Sequence, residues 1–323
     1  MKKLFVCLSF TCLVFLVNAQ NNNDITGLYN INFSHDPQGF CKMCLLKDHR
    51  YIIVFFGGIS SGTWKMVDDT IVGLTPNVHA SHFAIYGRHN KDLGDSIRIL
   101  FQGFEEGETF FSIGNIENEK SVMKRLFNRD PNCFTYPYLL KFKTMPGIIS
   151  FAMKPHLMED DSSQLPKICT FENKKNDNDF VAYHFEDAGD KGISYIVAHK
   201  DTLYFEGEGQ SVKEPLPVDK EYNEIMQLLN IDMNPDIVYY NPLFNDGSND
   251  NFNITDYTFN EQKGAYLKNS GYVMDEEYQQ MPDAFNRMTI VYSFKRIPVI
   301  AIKRGNFTID ETPLFYVICK NDE

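Results

Sequence analysis

The chain of 323 residues carries 43 Asp and Glu against 31 Lys and Arg, a net charge of −12 at pH 7. A surface of that sign repels phosphate backbones and anionic membrane surfaces, which argues against a nucleic-acid partner. With 43% hydrophobic and 14% aromatic residues, the composition is that of a chain that buries a core, and it excludes disorder.

Residues 1–19 read as a signal peptide. Lys2 and Lys3 form a basic start, and Leu4 to Val17 is an apolar run too short to span a bilayer comfortably. Val17-Asn18-Ala19 presents small residues at the two positions that a signal peptidase reads. Cleavage after Ala19 is expected, leaving Gln20 as the mature start of a secreted or periplasmic protein. Loss of Lys2 and Lys3 takes the net charge from −12 to −14. No later apolar run is long enough for a transmembrane helix. Cys41, Cys44, Cys133, Cys169 and Cys319 then remain, an odd and sparse set that is no disulfide scaffold and allows at most two bridges.

Most of the chain reads as short strands divided by turns. Thr26 to Phe33 alternates apolar and polar residues, and Tyr51 to Phe56 is a β-rich run. Thr63 to Val67 and Thr70 to Thr75 flank Asp68-Asp69, a hairpin spacer. Strands follow around 81–87, 96–104 and 108–114. The last two are expected to form a hairpin through Glu105-Glu106-Gly107. Two more, around 138–143 and 147–153, are turned by Met145-Pro146-Gly147. Residues 155–166 are polar, acidic and bracketed by prolines, and read as a linker.

Beyond it, strands are expected around 168–172, 179–186, 193–199 and 202–208. The one convincing helix spans 219–230: Tyr222, Ile225, Met226 and Leu229 share a face, with Asp219 as N-cap and Asn230 as a left-handed end. Residues 241–256 read as a long Asn/Asp-rich loop. Strands around 287–296, 299–305 and 314–320 close the chain. The fold class is therefore mainly β. Two antiparallel β-rich domains, each a barrel or a sandwich, are expected over 24–154 and 167–320, with one amphipathic helix in the second.

Several motifs invite a chemical reading. Gly58-Ile59-Ser60-Ser61-Gly62 matches the G-x-S-x-G elbow of serine hydrolases, which needs a helix after the nucleophile. The β-rich sequence after Ser61 predicts a strand instead, making 57–62 a glycine-rich loop. Cys41-Lys42-Met43-Cys44 precedes a strand rather than opening a helix, lacks a following His for haem, and has no second pair for zinc, although His35 and His49 flank it. A buried thiol with a turn thiol, a local disulfide and a metal site all stay open there.

His79 and His82 lie three apart on an expected strand, and His184 and His199 on consecutive strands, neither pair placed to share a metal. Glu105, Glu106 and Glu108, or Asp275, Glu276 and Glu277, are the candidate carboxylate pairs for a glycosidase. Counted from Asp246, the oxygen-rich loop has Asn251 where an EF-hand needs Gly and Tyr257 where it needs Glu.

The stretch from Cys44 to Leu74, with its glycine loop, Gly62-Thr63-Trp64-Lys65 and Ile71-Val72-Gly73-Leu74, resembles small secreted bacterial β-domains, some of them lipocalin-like. The resemblance implies that Trp64 is the core aromatic of a hairpin. The whole chain is similar to two-part secreted proteins of Bacteroidota, and this similarity carries no catalytic residues. The expected function is a secreted, non-enzymatic binding or structural protein, whose partner is a small molecule, a glycan or another protein. No catalytic residue, metal or cofactor is assigned. The alternatives are a hydrolase acting through Ser60 or a carboxylate pair, and a lipocalin-like carrier with an open apolar cavity. Intact-mass measurement of the exported protein is expected to give a chain starting at Gln20; retention of residues 1–19 would contradict the leader reading.

Overall fold

The computed structural model describes residues 24–31, 41–129, 133–143, 145–154, 165–186, 188, 192–206, 209–242, 253–269 and 289–319. The expected signal peptide, 1–19, lies outside them. In chain order the first strands are β1 (Gly27–Ile31), β2 (Cys41–Leu45), β3 (Arg50–Phe55), β4 (Gly58–Met66), β5 (Ile71–Pro76), β6 (Phe83–Arg88), β7 (Ile97–Gln102) and β8 (Thr109–Ile113). Then come β9 (Val122–Arg125), β10 (Leu139–Phe142), β11 (Ile148–Met153), β12 (Lys167–Glu172), β13 (Asp179–His184), β14 (Ser194–His199), β15 (Thr202–Phe205) and β16 (Gly209–Val212). The helix α1 (Asp219–Leu229) precedes β17 (Ile237–Tyr240), β18 (Tyr257–Asn260), β19 (Ala265–Lys268), β20 (Ile290–Ile297), β21 (Val299–Arg304) and β22 (Thr308–Asp310).

The chain is mainly β, as its pattern predicts, and it forms two compact units: one from 1–77 and 191–231, the other from 78–190 and 232–323. Each unit is thus built from two pieces of chain. The expected cut at 155–166 does not separate them, because β11 and β12 on either side pair directly, Met153 opposite Lys167. A polar, proline-bracketed composition marks a connection but not whether the elements it joins share a sheet, so composition alone could not place a domain boundary there.

In the first unit, β1 to β5, β14, β15 and β16 follow one another as an antiparallel meander. Just past β16, Glu214 exchanges two backbone hydrogen bonds with Leu28 of β1, at 2.9 and 2.8 Å. The meander therefore comes back on itself as a nearly closed barrel, which removes its sheet edges. Its inner face is packed with its own side chains: Tyr29, Met43, Leu45, Val72, Leu203 and Trp64 are all buried in one cluster. Trp64 donates its indole N–H to the Leu46 carbonyl at 3.0 Å, which satisfies the one polar atom it takes inside.

Helix α1 covers the outer face of β1–β3. Leu229, with Ile225 and Met226, packs on Leu28, Cys44 and Ile52, the face that the 3.6-residue spacing marks. Tyr222, expected on that face, is 36% exposed at its edge. Two end assignments change. Val218 holds the N-cap position and Asp219 is the first helical residue, while Asn230 has φ −94°, outside the left-handed region. Asn230 serves the helix end differently, by accepting from Arg50 Nη1 at 2.9 Å.

The second unit contains two sheets. One has the order β10-β7-β13-β6-β20-β19-β18, with β17 also on β20; the other runs β21-β12-β11-β8-β9-β22. They share one core, in which Phe83, Phe101 and Phe180 of the first meet Phe111, Phe151 and Phe171 of the second. β7 and β8 do not form the expected hairpin, nor do β10 and β11. In each case the chain crosses from one sheet to the other, and Glu105 and Glu106 lie in a short 3₁₀ turn at the first crossing. Residues 314–319 are not a strand beyond a bridge at Phe315; they carry Cys319 to its disulfide with Cys133.

A buried ion triad fixes the middle of the first sheet. Asp179 opens β13 opposite Arg88 on antiparallel β6 and opposite Arg98 on parallel β7. Arg98 donates to both carboxylate oxygens, at 2.8 and 2.7 Å, and Arg88 Nη2 lies 2.6 Å from Oδ2. Asp179 is fully buried and both arginines nearly so, and the Arg88 guanidinium also lies over the Tyr292 ring at 3.9 Å. Removing the one anion leaves two desolvated cations. Asp179→Asn is therefore expected to lower the unfolding free energy by about 3–5 kcal/mol. Opening Cys133–Cys319, which closes a span of 186 residues, is expected to cost about 2–4 kcal/mol. Denaturant titration of the two variants checks both values.

Candidate functional site

The expected site residues do not gather. β3 and β4 form a hairpin whose turn is Phe56-Gly57, with Gly57 at φ +86°. Ser60 thus lies inside a strand opposite Ile53, not in a loop and not before a helix. It shares the face of Trp64, four residues on, in the β3–β4 ladder. Gly62 is set by close approach: a Cβ there would stand 2.1 Å from the Thr75 carbonyl oxygen. The G-x-S-x-G match is a barrel strand.

Cys41 and Cys44 both lie on β2, and both are buried and free. Three residues apart on a strand they face opposite ways, Cys41 into the barrel and Cys44 under the helix, so they neither bridge nor share a metal. Burial pushes the Cys44 thiol up to about 11, far from a reactive thiolate. Glu108 is an ion-pair hub that meets Arg125 at 2.6 Å, Arg129 at 3.2 Å and Lys154 at 3.3 Å. Asp275, Glu276, Glu277 and most of the Asn/Asp-rich loop lie outside the described residues. Among the described residues no three His, Cys, Asp or Glu side chains are grouped to hold a metal.

What the second unit does assemble is a corner. β20 runs into β21 through Pro298 alone, so the chain passes from one sheet to the other in a single residue. Proline suits that step because it has no N–H to place in either ladder. The corner borders a cleft of about 490 Å³. Phe83, Ala84, Phe171, Pro298, Val299 and Ile302 form its apolar wall, and Ser81, Asp236 and Arg296 its polar groups. The Arg296 guanidinium is held by the Asn234 backbone carbonyl at 2.9 Å and by its side-chain oxygen at 3.3 Å, both neutral, while Asp236 sets a carboxylate in the same cleft. Beneath the wall, Ser81 Oγ lies 3.4 Å from the buried Cys169 Sγ. Burial raises that thiol, so it packs rather than reacts.

Comparison with protein-family models, with curated proteins and with solved structures finds no match for this chain.

A second cleft of about 300 Å³ lies against the same corner and shares Arg296 and Pro298. Lys174, Lys175 and Lys295 line it with Glu172 and Asp177. Asp177 is buried, and desolvation holds its carboxyl above the ordinary range, against the pull of Lys175, His89 and Lys295. Two side-chain networks shape the turn it sits in. Asn173 donates to the Pro146 and Asp177 carbonyls, and Asn178 to those of Asn90 and Gly94.

Three histidines that the sequence kept apart meet around Phe185. The His79 ring stacks on the Phe185 ring at 3.4 Å, and His82 Nδ1 reaches the Phe185 carbonyl at 3.0 Å. The adjacent His184 donates from Nδ1 to the Gly103 carbonyl at 2.9 Å. His199 lies in the other unit. Desolvation lowers all three values below that of free histidine. The unfolded chain then binds protons first. Stability is full above about pH 6.5 and falls as pH drops through that value toward the folded ones. Asp177 has the opposite sign, with a penalty above its raised value that acidification relieves. The denaturation midpoint is therefore expected to fall between about pH 7.5 and about pH 5.5, and to fall less in His184→Gln.

Proposed function

We propose that the protein is an exported binding protein whose site is the corner cleft of the second unit. The observation that carries this reading is the cleft itself. A cleft of about 490 Å³ with an apolar wall and a few polar groups is the size and make-up of a ligand site. Arg296, beside Asp236, and Lys295 in the adjoining cleft supply positive charge, suited to a ligand with an apolar body and an anionic group. The export half of the reading is supported by the leader pattern at 1–19 and by the Cys133–Cys319 bridge, a bond that oxidising compartments sustain.

Among the described residues, Ser60 lies within a strand opposite Ile53, and the barrel interior is occupied by Trp64 and its neighbours rather than open to a carried ligand. Binding of anilinonaphthalene sulfonate, an apolar anion, tests the reading by its fluorescence. Ile302 is 49% exposed at the cleft wall, so Ile302→Asp is expected to keep the thermal midpoint while weakening binding about tenfold. Turnover of ester, peptide or glycan substrates that disappears on a single polar substitution would contradict the proposal.

A further inference from the structure

The strand beside the cleft says what kind of ligand the corner takes. β21 ends its sheet: one edge pairs with β12, and among the described residues nothing pairs with the other. Exposed edges are ordinarily guarded by a bulge or by charge. Here a bulge at Ile300, between the pairs Thr170–Ala301 and Phe171–Val299, breaks the ladder once, and Lys303 and Arg304 put charge at the end of the strand only. Yet Ile300 and Ile302 remain 48% and 49% exposed, in a strand that contains no proline. Val299 and Ile302 line the larger cleft and Ile300 the smaller one, so the free edge and both clefts belong to one surface.

We propose that this surface binds an extended, acidic polypeptide segment, which adds as a strand along β21 and places apolar side chains in the corner clefts. This rests on the reading of the corner as the binding site. Strand addition draws affinity from backbone hydrogen bonds and specificity from pockets for alternate side chains, and β21 offers both. Charge complementarity selects the partner. The chain is −12 overall, but Lys174, Lys175, Lys295 and Arg296 line the two clefts against Glu172, Asp177 and Asp236, and Lys303 and Arg304 end β21. Lys167 stands directly opposite Arg304 across the β12–β21 ladder. Two copies pairing edge to edge would put both sets of cations into one interface, which disfavours self-association and favours an acidic partner.

The test is fluorescence anisotropy with the mature chain and a fluorescein-labelled heptapeptide of three valines flanked on each side by two aspartates. A counterpart with lysines for aspartates serves as control. The acidic peptide is expected to bind saturably and the lysine peptide not to bind. Ile302→Asp, with its thermal midpoint unchanged, is expected to weaken binding about tenfold. N-methylation of the peptide is expected to abolish binding at alternate amides only, because a strand turns every second amide toward its neighbour.

Binding that tolerates methylation at every amide would overturn strand addition. So would a dimer of the protein that Ile302→Asp dissolves. If anilinonaphthalene sulfonate binds in an Ile302-dependent way while no peptide does, the cleft reading stands and the polypeptide partner is wrong. If neither probe binds, both fall.

Discussion

A single buried carboxylate, Asp179, holds the centre of the second unit in register. It faces Arg88 across one ladder and Arg98 across the other, so a shift of β13 against either neighbour would separate opposite charges inside the protein. Such a triad adds little over an apolar core of equal volume, since the desolvation of three ions offsets most of the attraction. It does penalise every arrangement in which one ion is unpaired. The buried amides of Asn173 and Asn178 act in the same way on the adjoining turn, where each has specific backbone partners. Register at this end of β13 thus rests on polar geometry, while the phenylalanine core supplies the non-directional part.

That fixed sheet is what makes the corner a usable surface. β6, beside β13, pairs through Ile85, Tyr86 and Gly87 with the last residues of β20, and these lead through Pro298 into β21. The cleft is therefore walled by strands whose positions trace back to the triad. The two units divide in character. The barrel is nearly closed on itself and filled, whereas the two-sheet unit keeps an open edge, half-exposed isoleucines and a cluster of cations. A binding role follows more readily from the second than from the first.

Much of the fold was legible in the sequence. Alternation and turn chemistry located β1, β3 to β8, β10 to β15, β20 and β21, and the 3.6-residue spacing located α1. The missing pieces have identifiable causes. Cys41 to Leu45 reads as a thiol motif, although it is an ordinary strand with side chains buried on both faces. The strands β9, β16 to β19 and β22, of three or four residues each, show little period-two alternation, and unlike the equally short β10 and β15 they do not lie beside a longer apolar run that marks them. Pairing was harder than strand location. Glu105-Glu106-Gly107 has hairpin chemistry yet sits at a sheet crossing, because turn residues specify a reversal and not which sheet receives the next strand. The interleaving of the units was hidden for the same reason.

The site was less visible than the fold. Its residues come from β6, β12 and the β20–β21 corner, far apart in the chain, and most are apolar residues that sequence logic assigns to a core. Arg88, Arg98 and Asp179 carried a signal in retrospect: charged residues at the ends of otherwise apolar β runs. The most direct measurement of the account is amide hydrogen exchange by mass spectrometry on the wild-type protein and Asp179→Asn. In the wild type, segments 83–88, 97–102 and 179–184 are expected to be the slowest of the second unit. In the variant all three are expected to lose protection together, while barrel segments 41–45 and 71–76 keep theirs. Unchanged protection of 179–184 in the variant would contradict the claim that this carboxylate holds the sheet.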